Sequence, residues 1–257
     1  MLVLNFHRVE PMTGLEITRL SPARFARMMD MLEGTGLQVA KAGGELLPSG
    51  AQVALTFDDG FASVAAHALP VVRNHGWTAT VFLIADAVGK ADDWDVRLLG
   101  RRRMMMSWPQ AREWHQAGIA FGSHTSTHAD LTALSSRALA RELADSRSRI
   151  ADELGCKVRY LAYPFGRHNA RVRAAAEAAE YEAAFATGPT LTTGHDRFAI
   201  PRVSVHGLLT LFQYRRLLAD AQRTGADRHW HGRDRLFASL SAGSAIVTNR
   251  RRRHLAL

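Results

Sequence analysis

Short apolar runs alternate with longer amphipathic segments along this chain, and this alternation constrains its fold more than any other feature. The runs 2–6, 52–57, 78–84, 119–124, 158–164, 181–187 and 198–205 have the length and the β-branched or aromatic content of strands. Helices are predicted over 21–36, 62–76, 107–118, 135–155, 169–180 and 207–222. Such alternation predicts an α/β fold with a parallel sheet, and about seven units in about 220 residues favour a closed (β/α) barrel over an open sheet.

The domain organisation follows from the absence of any internal repeat or Ser/Gly-rich linker. We predict one barrel domain over residues 1–222 and a basic C-terminal appendage over 223–257. The segment from Leu208 to Leu257 has ten Arg and three Asp, so it carries +7 of the net charge of +9. Its Arg-rich end at 250–254 could make weak contact with an anionic membrane surface. A solvated tail is the plainer interpretation, and no nucleic-acid partner is expected.

Cysteine usage and hydropathy exclude several classes of protein. The single cysteine, Cys156, rules out an intramolecular disulfide and a thiolate-rich metal site, so any metal would be bound by His, Asp or Glu. The first ten residues contain no basic region of a signal peptide, and no run approaches the ~18 apolar residues of a membrane span. We therefore expect a cytoplasmic protein.

Polar clusters follow four of the predicted strands. They are His7, the pair Asp58 and Asp59, the pair His124 and His128, and the turn YPFG at 163–166. Because the carboxyl ends of parallel strands in a barrel converge on one face, we expect these clusters to lie close together there.

The adjacent acids Asp58 and Asp59 need an explanation, because neighbouring carboxylates repel each other. An ordinary turn explains Asp-Gly but not a second acid where the strand is still ending. If one carboxylate binds a divalent metal, the other can act as general base beside the activated water. His124 and His128 have the spacing that places two imidazoles on one side of a helical turn, although chance can produce such a pair among twelve His. Two imidazoles and one carboxylate form a three-ligand site of the kind that binds Zn²⁺.

Three motifs together resemble a known family. TFDDG at 56–60 and HTSTH at 124–128 resemble the first two signature motifs of the polysaccharide deacetylases, also known as carbohydrate esterase family 4 or the nodulation-type deacetylase domain. AYPFG at 162–166 resembles the third motif, and the resemblance covers about residues 1–210. It implies a deformed (β/α)7–8 barrel and the metal-dependent removal of an acyl group from a sugar.

The resemblance also implies a role for individual residues. The family's general base falls on Asp58, and a backbone N–H at Phe165 would stabilise the oxyanion. The implied cofactor is a divalent metal, Zn²⁺ with Co²⁺ or Ni²⁺ as alternatives, and its ligands would be Asp59, His124 and His128.

Two departures from the family pattern concern the groups around the base. The arginine of the third motif, which orients the base, is replaced by Ala162, and no D-x-x-D-W motif follows. Arg202 is the candidate substitute, with a surface or barrel-end arginine as the plainer interpretation.

The family's general acid also needs a different source. No L-x-H motif follows residue 187, but His7 ends the first strand, which neighbours the last strand in a closed barrel. A permuted subgroup that deacetylates poly-β-1,6-N-acetylglucosamine has this order, and the sequence looks similar to that subgroup. We predict His7 as the acid, with His206 as the alternative.

The leading functional hypothesis is a metal-dependent deacetylase of N-acetylhexosamine-containing glycans or their precursors. A metal-dependent deformylase or amidase acting on a non-polymeric or lipid-linked substrate is the alternative. A catalytically inactive glycan-binding module ranks last, because the predicted base and metal ligands are all present. In the long connection before the helix at 107–118, Trp94 could stack on a sugar ring, and Met104, Met105 and Met106 are expected to be buried.

Overall fold

The computed structural model describes residues 1–11, 18–40, 52–92, 103–187 and 196–224. The strands within these ranges are β1 (Leu2–Phe6), β2 (Arg8–Val9), β3 (Arg19–Leu20), β4 (Gln38–Ala40), β5 (Gln52–Phe57), β6 (Thr80–Leu83), β7 (Ala120–Ser123), β8 (Tyr160–Ala162), β9 (Ala183–Thr187) and β10 (Ile200–Ser204). The α-helices are α1 (Pro22–Glu33), α2 (Leu69–Asn74), α3 (Trp108–Gln116), α4 (Ser136–Leu154), α5 (Ala170–Ala178) and α6 (Leu211–Thr224).

Seven parallel strands close into a barrel in the order β1, β5, β6, β7, β8, β9 and β10, with β10 returning to β1. All five residues of β1 pair with β5, and β10 pairs with its other side. The short strand β4 pairs with Gln52–Ala54 at the start of β5, while β6 pairs with Thr56 and Phe57 at its end. This topology confirms the predicted (β/α)7–8 barrel, and it brings the first strand between two strands that are distant in sequence.

The barrel wall has an apolar cluster on its inner face and another on its outer face, because successive side chains of a strand point to opposite faces. Val3, Ala54, Phe82 and Phe185 belong to a cluster that fills the lower interior of the barrel. The alternate residues, such as Leu4 and Leu55, belong to the larger core that packs beneath the helices. The next inward-facing side chains towards the carboxyl end of each strand therefore lie beyond this inner apolar cluster, where polar groups can meet.

Most helix starts agree with the sequence prediction. Ser21 and Ser107 cap α1 and α3 by accepting hydrogen bonds from backbone N–H groups, and Ser107 forms a capping box with Gln110. The helix predicted at 62–76 is irregular, with a π-helical turn at Val64–Ala68 directly before α2. Pro70, in the first turn of α2, lacks the N–H that would continue the regular α-helical pattern.

Among the element boundaries that differ from the prediction, two have a clear local cause. The closing helix begins at Leu211 instead of residue 207, because Thr210 and Gln213 exchange side-chain to backbone hydrogen bonds that cap it there. Strand β8 ends at Ala162, since Pro164 cannot donate to a further ladder.

The remaining predictions have mixed outcomes. Met105 and Met106 are buried as expected, but the prediction for Met104 was wrong, because 54% of this residue is exposed. Trp94 and the proposed appendage from residue 225 onward lie outside the described residues, so the domain boundary at 222 stays a prediction. Among the helices within the described ranges, none is both long and apolar enough to cross a membrane.

Candidate active site

The two adjacent acids lie in a left-handed turn at the end of β5. Asp58 is buried, and its N–H donates to the carbonyl of Phe6 at 2.9 Å. Asp59 and Gly60 follow with φ of 68° and 76°. A Cβ on Gly60 would meet the Leu83 side chain at 2.5 Å, so glycine suits both the conformation and the space. The turn gives the two carboxylates different surroundings.

Asp59, His124 and His128 form a compact cluster. The Nε2 atoms of the two imidazoles each lie 3.6 Å from Oδ1 of Asp59. One ligand atom from each residue can be chosen so that all three lie within 4.8 Å of one another. The histidine loop is not the helical turn that the spacing suggested, because Thr125 and His128 have φ of 68° and 59°. These two left-handed residues turn the backbone so that the two imidazoles lie close together.

The donor set of this cluster fits a divalent metal. His124 Nδ1 donates to the carbonyl of Ala162 at 2.8 Å, which leaves the lone pair on Nε2, the atom nearest Asp59. Burial lowers the pKa of His124, which favours the neutral form that a metal requires. Two imidazoles and one carboxylate are ligands typical of Zn²⁺ sites that keep open positions.

Asp58 belongs to a different group of contacts. Arg202 forms a bidentate pair with it, Nη1 to Oδ1 and Nη2 to Oδ2, both at 2.7 Å. Asn5 Nδ2 donates to Oδ2 at 2.9 Å. Burial by itself would raise the pKa of Asp58, but Arg202 and then His124 oppose it and hold the pKa well below its usual range. Asp58 is therefore an ionised carboxylate at neutral pH.

Arg202 reaches Asp58 from the wall of the barrel. Leu4 pairs with Val203 and Asn5 with Ser204, so the backbone of Arg202 lies nearer the amino-terminal end of the barrel than that of Asn5. Its side chain is fully buried, and its guanidinium lies 5.4 Å from the ring centre of Phe82. The arginine expected to replace the one missing at Ala162 thus contacts the predicted base directly.

The two candidate acids have different electrostatic neighbours. Burial lowers the pKa of His7 to about 4, while Asp58 raises it and Arg202 and His124 lower it further. For His206, burial and then Arg24 lower the pKa to about 4. His206 Nδ1 also accepts from the N–H of Leu208 at 3.2 Å. His7 is therefore the histidine that is electrostatically coupled to the Asp58 group.

Phe165 lies beside the histidine pair. Its φ is 58°, and its ring centre is 4.6 Å from that of His128. A Cβ on the next residue, Gly166, would lie 1.9 Å from the Thr187 carbonyl oxygen, so this turn packs directly onto the end of β9. Among the described residues, four of the five non-glycine residues with positive φ are Asp59, Thr125, His128 and Phe165. Such concentration of backbone strain is typical of functional sites.

Sequence reasoning missed Asn5, Thr56 and Glu142. Asn5 lies two residues before His7 and Thr56 two residues before Asp58, so strand alternation sends each pair to the same face. That period was a usable signal for both residues. Glu142 on α4 accepts from the N–H and the hydroxyl of Thr127 at 3.0 and 2.6 Å. This contact joins residues 15 apart in sequence, and no local pattern marks it.

The sequence pattern of the family described as polysaccharide deacetylase matches residues 48–184, more than half of the chain. The chain belongs to the polysaccharide deacetylase family. The matched range contains the acid pair, the histidine pair and Phe165, whereas His7, Asn5 and Arg202 lie outside it.

Comparison with individual proteins extends the similarity over a larger share of the chain than the family match covers. The Bacillus subtilis (strain 168) protein YxkH, which carries a provisional polysaccharide deacetylase name, is 27% identical over 211 residues, covering 79% of this deacetylase-family chain and 70% of YxkH. The structure of IcaB from Ammonifex degensii has a TM-score of 0.71 at 27% identity and covers 86% of this chain and 96% of IcaB. The Streptococcus pyogenes deacetylase PplD, solved with acetate, has a TM-score of 0.73 and covers 85% of this chain and 97% of PplD, but at 18% identity it supports the fold alone.

Proposed function

We propose that this protein is a metal-dependent deacetylase that removes N-acetyl groups from N-acetylhexosamine-containing glycans or their precursors. One observation carries the proposal: a three-residue metal-type cluster and a buried Asp58–Arg202 ion pair lie side by side at the same end of the barrel. The family to which the chain belongs supports the glycan substrate.

Asp59, His124 and His128 would hold the metal, with Zn²⁺ as the expected ion and Co²⁺ or Ni²⁺ as alternatives. When bound, such an ion lowers the pKa of a coordinated water and polarises the acyl oxygen of the substrate. Ala162 supports this site through its carbonyl, because the hydrogen bond from His124 Nδ1 fixes the orientation and tautomer of that ring.

Asp58 is the proposed general base. Its carboxylate is ionised at neutral pH, and it lies one residue from the metal-type cluster without belonging to it. Arg202 holds the plane of the carboxylate by two parallel hydrogen bonds, which fixes the direction from which a proton can be accepted.

His7 is the proposed general acid, and the leaving amine nitrogen would receive its proton. The pKa of His7, lowered to about 4 by burial, means that the ring is neutral at rest. The proton that it donates would therefore arrive during turnover, and Asp58, which takes a proton from water, is the neighbouring source. The backbone N–H of Phe165 would donate to the oxyanion that forms at the acyl carbon.

The deciding experiment measures acetate release from N-acetylglucosamine oligomers and from lipid- and nucleotide-linked N-acetylhexosamines, after chelation and after restoring Zn²⁺, Co²⁺ or Ni²⁺. We expect release only with metal present. Turnover of formyl amides or non-sugar amides, with no acetate from any sugar, would favour the amidase alternative and contradict the glycan assignment.

Matched variants separate metal binding from proton transfer. Asp59→Ala and His128→Ala should lose stoichiometric metal by calorimetric titration, while Asp58→Asn should keep it and lose at least about 100-fold in kcat. Retention of full metal affinity by His128→Ala would overturn the ligand assignment. If His206→Ala lost amide turnover and His7→Ala did not, the assignment of the acid would be wrong.

A further inference from the structure

Asn5 provides a buried amide at the point where three strands of the barrel meet. It lies on β1, its side chain contacts Thr56 on β5 and Arg202 on β10, and 1% of the residue is exposed. A buried amide is stable only if its donor and acceptor groups are satisfied, so its partners indicate why an amide is there.

Both ends of the Asn5 amide are used in the same network. Its Nδ2 donates to Oδ2 of Asp58 at 2.9 Å. Its Oδ1 accepts from Nη1 of Arg202 at 3.1 Å. It also lies 3.2 Å from the hydroxyl of Thr56, whose shorter contact, at 2.9 Å, is with the carbonyl of Leu4. An aspartate here could not donate to Asp58 and would add a second negative charge. A leucine could neither donate to Asp58 nor accept from Arg202. Asparagine is the residue of this size that can bridge a carboxylate and a guanidinium.

The arrangement has a consequence for the carboxylate of Asp58. A carboxylate has about four lone-pair positions, two on each oxygen. Within the described part of the chain, Arg202 uses one on each oxygen and Asn5 uses the second on Oδ2. The remaining position is on Oδ1.

We propose that Asn5 is a positioning residue that makes Oδ1 of Asp58 the oxygen that accepts the proton. By occupying the second position on Oδ2, the Asn5 amide leaves Oδ1 as the oxygen that can accept a proton. By accepting from Arg202, the same amide keeps the guanidinium in the bidentate geometry. This inference rests on the proposed role of Asp58 as general base. It adds a residue from the first strand, outside the matched family range, to the machinery around the base.

The test uses two substrates that separate the base from the acid. One is the sugar that the wild-type protein deacetylates best, and the other is 4-nitrophenyl acetate, whose leaving group needs no proton. Asn5→Leu in the Zn²⁺-loaded protein should lose about 10- to 100-fold in kcat on both substrates, the value of one hydrogen bond to a charged group, with KM within about twofold. His7→Ala should lose kcat on the amide only. Metal affinity of Asn5→Leu by calorimetric titration should match that of the wild type.

Further variants distinguish positioning from a purely structural role. Asn5→Asp should lose more kcat than Asn5→Leu, because it adds a like charge beside Asp58. Thr78→Val removes a hydrogen bond to the carbonyl of Gly118 at 2.8 Å, at the amino-terminal end of β6 and so at the end of the barrel opposite Asp58, and should lower thermal stability without changing kcat. If Asn5→Leu does not fold, Asn5→Ser, which is small enough for the space, gives the same measurement.

The possible outcomes decide between the two proposals. Wild-type kcat in a folded Asn5→Leu or Asn5→Ser, with only the melting temperature lowered, would overturn the positioning role. If the wild type hydrolyses the ester but no sugar, the glycan function fails and the ester series still decides the role of Asn5. If the metal-loaded wild type hydrolyses neither, both proposals are overturned.

Discussion

At the residue scale, the adjacency of Asp58 and Asp59 is tolerated because each carboxylate has different partners. Asp58 is neutralised by Arg202 and hydrogen-bonded by Asn5, while Asp59 lies 3.6 Å from two imidazoles. The left-handed conformation at Asp59 is less costly for an aspartate than for most residues. A sequence pattern that looks electrostatically unfavourable is thus resolved by two distinct sets of contacts.

Removal of Arg202 should reveal how strongly Asp58 depends on it. Arg202→Met leaves a buried, ionised carboxylate without its partner, so we expect a loss of about 3–5 kcal/mol in the free energy of unfolding by urea denaturation. Arg149→Met breaks the Arg149–Asp86 pair, whose side chains are 45% and 48% exposed, and should cost less than about 1 kcal/mol. Equal costs for the two variants would contradict a special role for the buried pair.

The sequence indicated which side chains would lie close together, but not all of the contacts between them. The pairing of an acid and two histidines could be predicted because all three follow strands whose ends converge. The bidentate contact of Arg202 could not, because it depends on the register of β10 against β1 and on the length of one side chain.

At the element scale, α4 braces the histidine loop from outside the barrel. Glu142 accepts two hydrogen bonds from Thr127, and its backbone carbonyl accepts from the hydroxyl of Ser126 at 3.3 Å. The loop contains Thr125 and His128 with positive φ, so it needs such external support to keep both imidazoles in place.

Glu142→Ala should therefore weaken metal binding although this carboxylate is not a candidate ligand. We expect about a 10- to 100-fold loss of Zn²⁺ affinity by calorimetric titration, since groups that orient ligand-bearing segments typically contribute this much. Glu153→Ala, which removes a half-exposed glutamate paired with Arg112 near the other end of α4, is the matched control. Unchanged affinity in Glu142→Ala would show that the loop is held by its own turns.

At the scale of the whole molecule, closure of the barrel assembles the site from distant parts of the chain. Strand β1 inserts between β5 and β10, which brings His7 and Asn5 beside Asp58 and Arg202. The hydrogen bond between Asn5 and Arg202 joins residues 197 apart in sequence. The site and the folded barrel therefore depend on the same strand pairings.

Global stability should depend on pH through His206. Burial, with Arg24, lowers its pKa to about 4 in the folded protein, against about 6.5 in an unfolded chain. Between these values the unfolded state binds more protons, so this contribution to stability is complete above pH 6.5 and is lost as the pH falls towards 4. His206→Gln should remove this part of the acid destabilisation, on the order of 2 kcal/mol in urea denaturation series at pH 7 and pH 4.5. Parallel losses in both proteins would contradict the prediction.

The strand–helix alternation, the closed barrel and the polar residues at the strand ends could all be predicted from the sequence, because local apolar periodicity and chain connectivity leave few alternatives. Only the three-dimensional arrangement shows that Arg202 and Asn5 both contact Asp58, that His7 rather than His206 is electrostatically coupled to it, and that Glu142 supports the histidine loop. These outcomes depend on strand register, side-chain reach and positive-φ turns such as that at Asp59. Such features arise from packing between segments far apart in the chain, which no local pattern encodes.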